Sequence, residues 1–343
     1  MRTLSKLFFF FLFLGLPFTK AQEWHLSTFG KSQYVPLEDF CRFYHFPQLP
    51  YSPATEVHLS NGLVSLDFKP NSSVVFIDGV KHWLSFPIIQ RGAEIWISRT
   101  DLCCLFDPIL RPERIPQSRL YRGVVIDPGH GGSDKGAISR KGTEKNYALD
   151  TARRLAAILK ARGIPVVMTR NEDVFVSLDQ RVRMAAYYPE YIFISIHFNQ
   201  AYGGGHGLET YALSPRGSPS TNSGRLYLTD YIASPGNQTD PLNILLAHDI
   251  HSQIIRLHPA DPDMDRGLKR ARFKVLRENL LPSVLVEGGF LSNAIESSLV
   301  DHPIYRQKLA EAIARGVLLF FNQIHSQGKK GRPNTLASDG SGP

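Results

Sequence analysis

Cysteine is scarce in this 343-residue sequence: Cys41, Cys103 and Cys104 are the only three, and none stands in a Cys-x-x-Cys pattern. A thiolate metal site or a thiol redox centre is thereby disfavoured, since both are built from closely spaced cysteines. Long apolar runs are also missing. The stretch from Leu7 to about Pro17 falls short of the about 20 residues that cross a bilayer, so no transmembrane span is expected. Nor is there a basic run interleaved with aromatics on one face. Without one, the net charge of +8 is a poor argument for nucleic-acid binding, and we expect no nucleic-acid partner. A positive field does concentrate anionic polymers of any kind.

What is present fits an ordinary globular protein of two domains, with 43% hydrophobic and 20% charged residues. Arg2 and Lys6 precede the apolar stretch, and Thr19-Lys20-Ala21 offers small residues for cleavage. Residues 1–21 therefore read as a signal peptide cut after Ala21, and the mature chain as exported to the periplasm or cell envelope. Export permits a disulfide, so Cys41 can pair with Cys103 or Cys104; three small buried apolar residues is the other reading, and both stay open.

Residues 22–110 read as a small, mostly β (α+β) domain. Leu63 to Phe68 alternates in polarity, Val74 to Ile77 leads into the hairpin signal Asp78-Gly79, and a second hairpin turns at Arg91-Gly92. Brief helices are expected over Leu37 to Phe43 and from Thr100. Pro108, Pro112 and Pro116 stiffen a linker, 111–121, and the remainder to 325 forms the larger domain. There a helix over Glu144 to Arg162 carries Ala148, Ala152, Leu155 and Leu159 at helical spacing. Strands follow at Ile164 to Thr169, Tyr191 to Ile196, Leu208 to Leu213 (read as an edge), Arg272 to Leu276 and Val284 to Glu287. Helices run from Ser177, from Asp240 and over 303–324. Alternation of this kind predicts an α/β fold with a mainly parallel sheet covered by helices. The long irregular segment 214–240 is read with equal weight as a surface insertion or as a wall or gate of the active-site cleft. A polar tail, 326–343, is expected to be disordered.

Chemistry concentrates at strand exits. In Val124-Val125-Ile126-Asp127-Pro128-Gly129-His130 an apolar strand breaks and presents His130 on a glycine-rich loop ending at Glu144. Histidine and carboxylate together suit zinc, whose catalytic sites typically use three protein ligands and leave a fourth position open. The best third ligand is His197, where the strand Tyr191 to Ile196 runs out, and a further glutamate, Glu287, ends another apolar run. Polar groups at the carboxyl ends of several strands is how an open α/β sheet builds a site. Asp127 and Asp134 could orient the imidazoles or cap the loop. His206, His248, His251, His258, His302 and His325 lie outside these motifs and read as surface or hydrogen-bonded residues.

The ordered set DPGHGG, GTEKN, SIHFN and VEGGFLSN, from about Arg122 to about Ile324, resembles the zinc-dependent N-acetylmuramoyl-L-alanine amidases of bacterial cell-wall metabolism. That resemblance implies that His130, Glu144 and His197 hold Zn2+, that Glu287 is the catalytic carboxylate, and that the substrate is the bond between N-acetylmuramic acid and L-alanine in peptidoglycan. It leaves open an activator protein. Residues 22–110 are similar to the copper amine oxidase N-terminal-like domain, implying a binding or positioning module without copper. Another zinc peptidase acting on stem peptides, or a non-catalytic wall-binding protein, are the alternatives.

Overall fold

Four apolar runs are buried along their whole length or nearly so: Gly123–Pro128, Tyr191–Asn199, Leu208–Leu213 and Ser283–Phe290. Strands of this composition need cover on both faces. The computed structural model, which describes residues 24–47, 56–116, 119–201 and 205–330, supplies it. Residues 1–21, read as a signal peptide, and residues 331–343 of the expected tail lie outside the described residues.

In chain order the N-terminal part contains β1 (Ser27–Phe29), β2 (Ser32–Pro36), α1 (Leu37–Tyr44), β3 (Val57–Ser60), β4 (Ser65–Phe68), β5 (Val74–Ile77), β6 (Val80–Trp83), β7 (Ile89–Arg91) and β8 (Glu94–Ser98). There follow α2 (Arg99–Asp101), a π-helical turn and α3 (Asp107–Leu110). The larger part holds β9 (Gly123–Pro128), α4 (Glu144–Ala161), β10 (Val166–Met168), α5 (Leu178–Ala186), β11 (Tyr191–Asn199), β12 (Leu208–Leu213), α6 (Asp240–Ile254), β13 (Asp265–Ala271), α7 (Lys274–Arg277), β14 (Ser283–Phe290), α8 (Ala294–Asp301) and α9 (Pro303–Lys330).

The larger sheet is ten-stranded, in the order β10-β9-β11-β14-β12-β13-β6-β5-β4-β3, and a small antiparallel sheet runs β1-β2-β8-β7. β10, β9, β11 and β14 are parallel; β12 runs antiparallel to β14 and parallel to β13. The α/β class is as expected. Three local expectations are not met. β12 is interior, flanked by β14 and β13, because its six residues are all buried and need partners on both edges. The strand expected over Arg272 to Leu276 lies earlier, at Asp265–Ala271, and Lys274–Arg277 is one turn of helix. Residues 326–330, expected to belong to a disordered tail, are instead the end of α9.

The sheet does not stop at the boundary between the two parts. β6 pairs with β13 at His82 and Leu268, Lys81 donates its backbone N–H to Asp265 at 3.0 Å, and the Trp83 indole donates to the Arg266 carbonyl at 2.9 Å. Within the stretch read as a linker, 111–121, Pro112–Arg114 form a 3-10 turn, and Ile115 and Tyr121 are buried. One continuous apolar cluster joins Phe40 and Phe106 of the N-terminal part to Ile194, Leu246 and Phe320 of the larger one. All three cysteines are free thiols; Cys41 is buried and Cys103 exposed.

Side-chain alternation divides the central strands. Val124, Ile126, Ile192, Ile194, Val284 and Val286 face α4, α6 and α9. Val125, Phe193, Leu285 and Tyr211 face the opposite side, covered only by the short α5 and α7. Continued by steps of two, that thinly covered face carries Asp127, Ser195, His197 and Glu287 at its carboxyl ends. The site opens where cover is least.

Candidate metal centre

Glu144 is the first residue of α4, where exposed N–H groups and the helix dipole favour an anion. Its Oε1 faces His197 Nδ1 at 2.8 Å and its Oε2 faces His130 Nε2 at 3.1 Å. Backbone N–H groups of Ala137 and Phe198 donate to the two oxygens at 2.8 and 3.1 Å. Burial pushes this carboxyl up, but the two imidazoles outweigh it and hold the group well below the usual carboxylate range. Taking one ligand atom from each of His130, Glu144 and His197, all three lie within 4.8 Å of one another, the only such group of three or more among the described residues. Two imidazoles and one carboxylate converging from a loop, a helix start and a strand end form a donor set that fits a divalent cation.

The loop that delivers His130 is forced into place. His130 sits at φ +57°, a conformation uncommon for a residue with a side chain and characteristic of functional sites. Gly129 and Gly136 are needed by close approach: a Cβ on the first would strike the His197 ring, and on the second the Glu144 carboxylate and the His130 ring. Asp134 Oδ2 takes His130 Nδ1 at 2.8 Å, the orienting role that the sequence left open for it. Asp127 does something else. It is buried, accepting from Arg181 at 2.6 Å, Thr169 at 2.5 Å and Ser195 at 2.8 Å. Arg181 in turn donates to the carbonyls of Pro128 and His130, and Arg170 to those of Pro128, Gly129 and Lys145. Two buried guanidinium groups thus pin the loop by its backbone. Burial and the neighbouring Arg181 bring Arg170 down to about 10.

Glu287 lies beside His197 in register across β14 and β11. Its Oε2 is shut from solvent and has no hydrogen-bond partner. Burial, then the negative charges of Glu144 and Glu209, push this carboxyl well above its ordinary value, with Lys269 opposing. A carboxyl oxygen shut from solvent without a partner is costly unless something else uses it. The four residues singled out from sequence all line one cleft of about 510 Å³, together with Phe175, Phe273 and Asn199.

Residues 124–318, more than half of the chain, match the family model for N-acetylmuramoyl-L-alanine amidase. The chain belongs to this family. This amidase is 34% identical over 229 residues to N-acetylmuramoyl-L-alanine amidase AmiA of Escherichia coli (strain K12), across 60% of this chain and 78% of that one. LytC of Bacillus subtilis (strain 168), another N-acetylmuramoyl-L-alanine amidase, is 34% identical over 199 residues, 58% of this chain and 35% of that one. Among solved structures, the amidase AmiC2 of Nostoc punctiforme superposes with a TM-score of 0.48 at 32% identity, covering 60% of this chain and 99% of that one.

Segment 214–240 contributes nothing to the cleft lining of the amidase. It lies against β13 instead: Arg272 donates to the carbonyls of Pro215 and Ser218 and pairs with Asp230 at 3.1 Å, while Thr221 donates to Arg270. Sequence reasoning assigned no part to Glu209 or Lys269, both buried beside Glu287. Glu209 carried a signal, one charged residue inside the otherwise apolar strand Leu208–Leu213, whereas Lys269, in the basic strand Asp265–Ala271, carried none.

Proposed function

We propose that the chain hydrolyses the amide between the lactyl group of N-acetylmuramic acid and the L-alanine of the peptidoglycan stem peptide, with zinc held by His130, Glu144 and His197 and with Glu287 as the proton carrier. Peptidoglycan amidase activity is the family's; the zinc and the division of labour are this reading. The observation that carries it is Glu287, a half-buried carboxyl whose Oε2 is shut from solvent without a hydrogen-bond partner, in the same cleft as the three converging donors.

When bound, zinc polarises the scissile carbonyl and lowers the pKa of water to roughly 7. Glu287 then accepts the proton of the attacking water and returns one to the leaving amine of L-alanine. Asp134 holds the His130 ring in one tautomer, leaving Nε2 for the metal. Phe175 and Phe273 on the cleft wall offer apolar surface to the substrate.

Residues 1–21 direct export, and residues 22–110, similar to the copper amine oxidase N-terminal-like domain, position the enzyme on the wall. Mass spectrometry of digested peptidoglycan tests the reaction. Intact stem peptides with a free L-alanine amine, an unbroken glycan and loss of both products with a chelator are expected. Cleavage inside the stem peptide would overturn it. Glu287→Gln separates the roles: normal zinc stoichiometry with turnover down about two to four orders of magnitude is expected. Release of the metal by that variant would make Glu287 a ligand instead.

A further inference from the structure

Glu209 stands directly opposite Glu287 across β12 and β14. Opposed like charges destabilise a sheet, so a buried pair of carboxyls here needs a reason. Glu209 is only 1% exposed, yet all its acceptor capacity is used. Oε1 takes Arg266 Nε at 2.5 Å and Lys269 Nζ at 2.6 Å; Oε2 takes the Tyr211 hydroxyl at 2.6 Å and Asn199 Nδ2 at 3.0 Å. Burial raises this carboxyl, and Arg266 and Lys269 outweigh it and keep it ionised.

Only one of the four donors reaches the cleft. Asn199 lines it, at the end of the strand that carries His197. Its side chain is held at both ends, since its Oδ1 accepts the N–H of Gln200 at 2.8 Å. Its backbone is held too: the carbonyl takes Leu291 N–H at 2.8 Å. An amide fixed this way offers an incoming peptide group hydrogen bonding in a predetermined orientation. A merely structural carboxylate would have been satisfied by Arg266 and Lys269 without reaching across to the strand that carries His197.

We propose that Glu209 is a positioning residue for the reaction, clamping the amide of Asn199 at the cleft wall so that Asn199 aligns the peptide group of the substrate. This rests on the amidase reading. The substrate-facing group is Asn199; Glu209 acts through it and touches no reacting atom. Arg266 and Lys269 serve the clamp by holding the carboxylate ionised, which strengthens its bond to Asn199.

The test is a double-mutant cycle in the full-length, metal-loaded enzyme, with Glu209→Gln and Asn199→Ala alone and together, assayed on a soluble muropeptide. Misplacing an aligning group by about 1 Å commonly costs up to about 100-fold. Each single variant is expected to lower kcat by about tenfold or more and to raise KM, with metal content unchanged, and the double variant to lose no more than Asn199→Ala alone. A fold defect behaves differently: it removes active molecules and lowers apparent kcat at constant KM. Constant KM, losses that multiply, or wild-type kinetics in either single variant would each overturn the proposal. Should Glu209→Gln fail to fold, Asn199→Ala decides alone, because unaltered kinetics there leave the clamp nothing to position. The two readings fail separately. Wild-type release of stem peptide with unaffected variants removes the clamp and leaves the amidase; coupled losses in an enzyme that cuts another bond do the reverse.

Discussion

At the scale of residues, Asp127 and Asp134 show how far a motif can be read. Both belong to the same glycine-rich stretch, and the sequence offered each the same two roles. Asp134 faces an imidazole because it lies on the loop beside His130; Asp127 points into the thinly covered side of the sheet, where Arg181 meets it. The difference comes from strand phase and from a helix about 50 residues away, neither of which a local pattern contains. Their substitutions should therefore differ in kind. Asp134→Ala is expected to keep the fold and weaken the proposed metal site by about 10 to 100-fold, read by competition with a chromophoric chelator. Asp127→Ala strands the buried Arg181 charge and should cost about 3–5 kcal/mol, read by urea denaturation. That His130, Glu144, His197 and Glu287 would meet in one cleft was, by contrast, legible before any coordinates, because each follows an apolar run or starts a helix.

Among the elements, legibility follows pattern length. α4 and α9 were expected where they stand, whereas β12, read with its own bounds, was assigned to an edge and β13 was placed too late. β13 reads Asp-Arg-Gly-Leu-Lys-Arg-Ala, with three basic residues, and its last five residues are nevertheless buried. Those charges are satisfied by Glu209, by the carbonyls of Leu213 and Cys104, and by other distant groups. A one-dimensional hydrophobic pattern cannot anticipate a strand whose charges are neutralised from elsewhere. The same logic reassigns segment 214–240. Asp230 pairs with Arg272 and the segment's carbonyls cap that guanidinium, so the segment acts on stability first. Asp230→Ala should lower stability by about 1–3 kcal/mol while leaving KM for a short muropeptide unchanged, with thermal melts and initial rates measured on the same preparation. A shift in KM without a shift in melting would reverse that assignment.

For the molecule as a whole, the seam between β6 and α6 is where its two parts meet, and histidines line it. His82 Nε2 meets His248 Nδ1 at 3.0 Å, and His251 bridges Thr210 and Asp265 at 2.9 Å each. Burial, and then neighbouring histidines, push His248 down to about 4 and His82 well below its ordinary value; Asp78 opposes the shift at His248, and Arg270 adds to it at His82. The unfolded chain therefore takes up protons below about pH 6.5 that the folded chain refuses until about pH 4. The contribution of these two histidines to stability is full above about pH 6.5 and falls as pH drops toward 4, by at most about 1.4 kcal/mol per unit for each site. Urea midpoints measured across that interval should show the fall, and His248→Gln should flatten part of it. Deleting residues 24–116 should yield insoluble protein, since it bares the β13 edge, and sedimentation of the expressed fragment checks this. The shared sheet has one further consequence, for the order in which the chain is made. β6 leaves the ribosome roughly 180 residues before β13, its partner, so at about 5–20 residues per second an open strand edge waits for roughly 10 to 40 s. That edge stays open to a neighbour's strand until the rest of its own chain arrives, which makes the interval one of exposure to aggregation.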